Sequence, residues 1–264
     1  MQYKLVVLDM DGTLLDNEHR VSSANKEAIH RLKSEGVKVV LASGRPFESI
    51  YPYVHELGID LPIIAANGAL IKSPLTNEVF YSASLPSHLA KEIVEYGQAN
   101  DYPISLYLDG EVHTFNESMV KIHWELEKLN ANLIDQFDEE KTLYKIIYQN
   151  TPARIAEACN HLEQKYKEEL YITRSDAIYL DVMNRDASKG KALKKLMSML
   201  KILPQEALVM GNSFNDISMF KVAGRAIAMA NSPQEVKAAA DFVTKTNNED
   251  GVAQALGRET RGRF

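Results

Sequence analysis

Four apolar residues in a row, Leu5, Val6, Val7 and Leu8, run without a break into Asp9 and Asp11 and then into Gly12. A run this short and uniformly apolar reads as a strand buried on both faces, the habit of a parallel sheet covered by helices on each side. Asp9 and Asp11 then fall at or just past its carboxyl end. Strand periodicity aims them to the same side.

The surrounding pattern extends this reading. After "KLVVL" comes the amphipathic stretch "SSANKEAIHRLKSEG", with serines to cap its start, Ile29 and Leu32 on one face and Gly36 as a stop. "VKVVLAS", a helix from about Pro46 to Leu57 closed by Gly58, and "LPIIAANGA" complete a βαβαβ rhythm, hence a parallel sheet with right-handed crossovers. The rhythm returns after about residue 188, with helix "SKGKALKKLMSMLKI", strand "EALVMGNS", helix "FNDISMFKVAG", strand "RAIAMA", helix "SPQEVKAAA" and strand "DFVT".

Between these halves the texture changes. "ISLYLDGEVHTF" alternates around Asp109-Gly110, a hairpin signal, among amphipathic helices and further strands such as "KTLYKIIYQN", "YITRS" and "AIYLDVM". The expected fold is therefore α/β, a Rossmann-like parallel sheet core from residues 1–82 and 187–264, with an inserted α+β domain at residues 83–186. The length of 264 residues suits one large domain or two smaller ones.

Composition excludes several functions. The net charge is −6, from 30 basic and 36 acidic residues, with no basic stripe interleaved with aromatics, so nucleic acid is not an expected partner. Cys159 is the single cysteine, which forbids an intramolecular disulfide. The run before Asp9 is too short for a signal sequence, and no stretch approaches the ~18 apolar residues of a membrane span. A cytoplasmic location and no membrane association are the expectation.

In an open parallel sheet, ligands gather outside the carboxyl ends of the strands. The polar residues that end the apolar runs are Asp9, Asp11, Ser43, Asn67, Asn212, Asn215 and Asp216, and Lys189 opens the helix that restarts the core. Paired carboxylates, amides, a hydroxyl and a lysine form an inventory for phosphoryl transfer. A hard cation such as Mg²⁺ takes oxygen ligands, one carboxylate attacks phosphorus and the other handles the protons.

These residues carry a resemblance. "DMDGT", "LASGR", a lysine heading the returning helix and "GNSFND" resemble, in order and spacing, the four motifs of the haloacid dehalogenase superfamily of phosphohydrolases; "AANGA" and "NNEDGVA" resemble its Cof-type branch with a large C2B cap. The resemblance implies Asp9 as nucleophile and Asp11 as general acid/base. It implies phosphate binding by Ser43, Gly44, Lys189 and Asn215, with Met10 beside the phosphate and Arg45 facing the substrate. It implies Mg²⁺ held by Asp9, the Asp11 carbonyl, Asn212 and Asp216, the last through water. The expected partner is a small phosphorylated metabolite, a sugar phosphate or a flavin precursor, and both monomer and homodimer stay open.

Asn212 departs from the family pattern, which more often has aspartate there. Losing that charge removes an interaction on the order of 4 kcal/mol at about 4 Å and a dielectric of about 20, before desolvation is subtracted. A sugar phosphomutase and a catalytically weakened regulatory protein that binds a phosphorylated metabolite share much of the inventory. A receiver domain shares it too but is shorter and has no insertion. The seven histidines show no clustered spacing, and Trp124, Tyr144 and Tyr148 fall at periods expected of core residues.

Overall fold

The computed structural model describes residues 3–127 and 129–261; the expected spans that take in residues 1–2, 128 and 262–264 lie outside it there. The chain begins with β1 (Leu5–Leu8), α1 (Ser23–Ser34), β2 (Lys38–Leu41), α2 (Phe47–Glu56), β3 (Ile63–Ala65), β4 (Leu70–Lys72) and β5 (Val79–Ser82). It continues with α3 (Ser87–Ala99), β6 (Ile104–Leu108), β7 (Glu111–Thr114), α4 (Glu117–Glu127), β8 (Ala131–Leu133), β9 (Leu143–Gln149), α5 (Pro152–Tyr166), β10 (Leu170–Asp176) and β11 (Tyr179–Asn184). It closes with α6 (Lys189–Leu200), β12 (Ala207–Gly211), α7 (Ile217–Phe220), β13 (Arg225–Ala228), α8 (Gln234–Ala238), β14 (Phe242–Val243) and α9 (Gly251–Arg261).

The first sheet runs β14-β13-β12-β1-β2, parallel throughout, with Leu5 opposite both Ala207 and Lys38. Strand period two splits β1 cleanly. Val6 and Leu8 pack against Ile29, Ile50 and Leu256 of the helices on one face, while Leu5 and Val7 meet Leu193, Leu196 and Met219 on the other. The continuous apolar run is thus buried twice over, and Asp9 is carried to the rim. α1 begins where Ser22 accepts the Asn25 amide, and the chain leaves it through Gly36 at φ 82°.

"LPIIAANGA" behaves differently from the expected third parallel strand. β3 touches the parallel sheet through a single bridge, Ala42 to Ile64, and pairs antiparallel with β4 in a three-stranded β3-β4-β5 sheet. The cause is local: Ala66, Asn67 and Gly68 all take positive φ, so the chain reverses after three strand residues. "FNDISMFKVAG" likewise gives a 3₁₀ turn at Phe214–Asp216 and a one-turn helix α7 in place of a full helix.

The six-stranded sheet, order β10-β11-β9-β6-β7-β8, comes from the middle of the chain. Asp109 and Gly110 at φ 50° and 93° make the β6–β7 hairpin turn that the Asp-Gly pair suggests. One face of this sheet, through Leu106, Ile146 and Tyr148, packs on α3 and α5. The other, through Tyr107, Ile147 and Met183, packs on Ala66 and Ala69 of the first half. Trp124 corrects the expectation of a core residue. α4 buries Met119 and His123, and the helical rotation of one residue turns Trp124 outward, 54% exposed. No described helix is long and apolar enough to cross a membrane.

Candidate active site

The strand ends of the first sheet and one face of the six-stranded sheet enclose a cleft of about 380 Å³. Asp9, Asp11, Gly44, Arg45, Asn212 and Asn215 line it from the first sheet's side, joined by Ile122, Lys145, Ile147, Ser175 and Tyr179 from the other. Ser43, Lys189 and Asp216 are fully buried just behind this lining. Met10 is also fully buried, but its side chain belongs to the hydrophobic core, so only its main chain borders the site.

Lys189 is the centre of the buried charge. Ser188 caps α6 by accepting the Lys191 amide, which places Lys189 in the first turn with its Nζ 2.6 Å from both Asp9 Oδ1 and Asp216 Oδ1. The remaining Asp216 oxygen accepts the amides of Asn212 and Ser213 at 2.8 and 2.9 Å. Asp216 therefore fixes both the lysine and the loop after β12. Gly211 is required for this: a Cβ there would lie 2.5 Å from the Asp216 carboxyl carbon.

Burial, reinforced by the Asp216 carboxylate, pushes the Asp9 carboxyl up to about 7 against the pull of Lys189. Burial works to lower the Lys189 ammonium, and the Asp216 and Asp9 carboxylates outweigh it and hold the pKa above the ordinary lysine value. Asp9 Oδ2 accepts the Thr13 hydroxyl at 2.8 Å.

The Asn212 amide meets three oxygens, Asp11 main-chain O at 2.8 Å, Asp9 Oδ2 at 2.9 Å and Thr13 Oγ1 at 3.0 Å, and hydrogen bonding assigns its nitrogen to that side. Gly12, at φ 71°, lets this approach happen, since a Cβ there would fall 2.4 Å from the Asn212 amide. A carboxylate and a carbonyl converge here, and the Asn212 amide, turned to present its oxygen, would complete a donor set of the kind that suits a hard divalent cation.

Asp11 is gripped from the other side. Arg45 donates Nε to Oδ2 at 2.8 Å and a terminal nitrogen to Oδ1 at 2.6 Å, a two-pronged fork. Burial works to raise the Asp11 carboxyl, yet the hydrogen bonds from Arg45 and His19 overcome it and hold the group well below the usual carboxylate range. His19, with φ 59°, brings Nδ1 to 3.5 Å from Asp11 Oδ1, and its carbonyl accepts the Tyr53 hydroxyl. Ser43 Oγ accepts the Arg45 amide at 3.1 Å.

Behind the cleft a second polar chain joins the sheets. Asn215 donates to Asn67 Oδ1 at 2.9 Å, and Asn67 donates to Asp181 Oδ2 at 2.6 Å. Lys145 on β9 donates to the Gly44 carbonyl at 2.9 Å and stands 3.6 Å from Asp181 Oδ1.

Sequence reasoning missed His19, Lys145 and Asp181. Lys145 and Asp181 carried a signal, a charge inside a strand of otherwise buried residues; His19 carried none.

Comparison with known proteins agrees with this geometry. The profile of the haloacid dehalogenase-like hydrolases matches residues 6–256. The 5-amino-6-(5-phospho-D-ribitylamino)uracil phosphatase YwtE of Bacillus subtilis is 31% identical over 290 residues, covering 99% of this chain and 99% of that protein. A haloacid dehalogenase-like hydrolase from Bacteroides thetaiotaomicron superimposes with a TM-score of 0.85 at 31% identity, covering 97% of this chain and 99% of the other. The HAD subclass IIB sugar phosphatase BT4131 superimposes with a TM-score of 0.86 at 27% identity, over 97% and 99%. A family match across nearly the whole chain, full-length phosphatase relatives and a shared fold place this chain among the haloacid dehalogenase-like hydrolases.

Proposed function

We infer that the protein is a Mg²⁺-dependent phosphatase that hydrolyses small phosphate monoesters, sugar phosphates or phosphorylated metabolites, through an aspartyl-phosphate on Asp9. The observation that carries this reading is the pairing of Asp9 and Asp11 at one strand end, with the buried Lys189 ammonium 2.6 Å from Asp9. In this reading residues 1–82 and 187–264 form the catalytic core and residues 83–186 a cap.

The steps follow from the groups present. Asp9 attacks phosphorus through a carboxylate oxygen, the ester P–O bond breaks, and Asp11 delivers a proton to the leaving oxygen. Water then attacks the same phosphorus, Asp11 takes its proton, and the bond to Asp9 breaks. Ester and water become alcohol and phosphate. Lys189, Ser43 and the main chain around Gly44 offer donors for the phosphoryl oxygens, as Asn215 does at the cleft edge.

Asp9, the Asp11 carbonyl and Asn212 would hold the cation, with Asp216 behind them. Bound there, Mg²⁺ supplies charge neutralisation for the phosphoryl group. Asp11 is an ionised carboxylate while the Arg45 fork holds it. A phosphate dianion entering beside Arg45 competes for the guanidinium, and Asp11, released from the fork, takes a proton from solvent, gives it to the leaving oxygen and regains one from the attacking water.

The test is phosphate release from an aryl phosphate and a panel of sugar phosphates, with and without Mg²⁺, for the native protein and Asp9→Asn. The expected outcome is metal-dependent release that falls at least about 10³-fold in the variant. Transfer of phosphate to a sugar hydroxyl, or no release at any Mg²⁺ concentration, would replace hydrolysis by mutase or binding function.

A further inference from the structure

The two walls of the cleft differ in chemistry. The wall holding Asp9 takes the phosphate, so the leaving group extends toward β9, β10 and β11. Much of that far wall is uncharged, including Ile122, Ile147, Ser175 and Tyr179. Lys145 brings a cation to it, and its side chain is only 4% exposed. A buried lysine on a strand interior has to be held and used, because its ammonium carries three donors and no apolar partner satisfies them.

Among the described residues, Lys145 makes one hydrogen bond, to the Gly44 carbonyl at 2.9 Å, and stands 3.6 Å from Asp181. The ammonium rests 4.4 Å from the centre of the Tyr107 ring, which backs it without taking a proton. Asp181 is fully buried, and its Oδ1 accepts no hydrogen bond among the described residues. Its other oxygen is committed to Asn67. The carboxylate therefore balances the lysine's charge from behind while the ammonium keeps donor capacity facing the cleft.

We propose that Lys145 is a specificity-determining residue, donating a hydrogen bond to a hydroxyl or carbonyl oxygen of the leaving group, and that Asp181 is the residue that positions it. The preferred substrate is then an ester of an oxygen-rich alcohol, and phenyl phosphate, whose leaving group carries no acceptor beyond the ester oxygen, gains nothing from Lys145. This rests on the reading of Asp9 as the phosphate end of the cleft.

The test compares phosphate release from phenyl phosphate with that from glucose 6-phosphate, ribose 5-phosphate and glycerol 3-phosphate in the native protein, Lys145→Met and the charge-balanced pair Lys145→Met/Asp181→Asn. The pair answers the question should the single variant fail to fold. For the best of the three polyol phosphates, KM rises so that kcat/KM falls at least tenfold further than for phenyl phosphate. Equal losses for both classes overturn the proposal and make Lys145 a structural strut, as do equal activities in native and variant proteins. Should the native protein release phosphate from no compound, the hydrolytic reading falls separately, and calorimetric binding of the three polyol phosphates decides this one. Weaker binding by Lys145→Met supports it; equal binding, or no binding to the native chain, overturns it.

Discussion

Asn212 shows how a single amide substitutes for charge. Its nitrogen sits between the Asp9 carboxylate and the Asp11 carbonyl, which would otherwise face each other without a donor, and so ties the loop down without a cation. A cation in the same place must turn that amide to present its oxygen, and it meets one negative charge fewer than aspartate would give. Asn212→Asp is therefore expected to tighten Mg²⁺ binding at least tenfold, within the ceiling of about 4 kcal/mol that one charge supplies at an effective dielectric of about 20. Isothermal titration of both proteins checks this, and equal affinities would show that the missing charge is made up elsewhere in the cluster.

The same contrast at this scale explains what could be read in advance. Asp9, Asp11, Ser43 and Asn212 were legible because each ends an apolar run, and the sheet gathers strand ends. His19 reaches Asp11 from a loop with positive φ, a conformation no local pattern announces. Lys145 and Asp181 were visible as charges inside apolar strands, but alternation assigns a face without saying what the face meets.

Elements differ in how far their own residues determine them. β1 and β12 are settled by apolar content alone. β3 is not, since the positive φ run at Ala66–Gly68 diverts it into an antiparallel sheet after three residues. β7 carries a titratable group whose environment the element imposes. Burial, then Lys141, depresses His113 below the ordinary histidine value of 6.5 and outweighs the opposing pull of the Glu111 carboxylate, 3.4 Å from Nε2. The unfolded chain takes up a proton that the native chain refuses. Native stability contributed by this group is therefore complete above 6.5 and is lost as pH falls through that value toward the folded pKa. Urea midpoints for the native protein and His113→Gln between pH 7.5 and 5.5 test it. The native midpoint is expected to fall more steeply, by a difference bounded at about 1.4 kcal/mol per pH unit for one proton; parallel curves would exonerate His113.

At the scale of the whole molecule, the polar chain Asn215–Asn67–Asp181 is the buried seam between the sheets. Removing its middle link leaves a buried carboxylate without its donor. Asn67→Gly keeps the φ of 54° accessible, so its cost combines the lost side-chain bonds with the entropy glycine adds to the unfolded chain, and no backbone strain. A loss of about 1–3 kcal/mol in urea unfolding is expected, and an unchanged midpoint would mean that water replaces the amide.

The chain passes between the sheets twice, and the two passages are stitched together. Asn184 donates to the Ser84 carbonyl at 2.7 Å, and the Tyr81 hydroxyl donates to the Asp186 carbonyl at 3.0 Å. A single strand would act as a swivel, free to twist in every direction. Two passages tied side by side would, like a door hinge, leave any relative rotation of the two sheets mainly one axis. Lys189 follows three residues after Asp186, at the foot of that hinge. Any such rotation would thus bear first on the segment that carries the ammonium gripping Asp9.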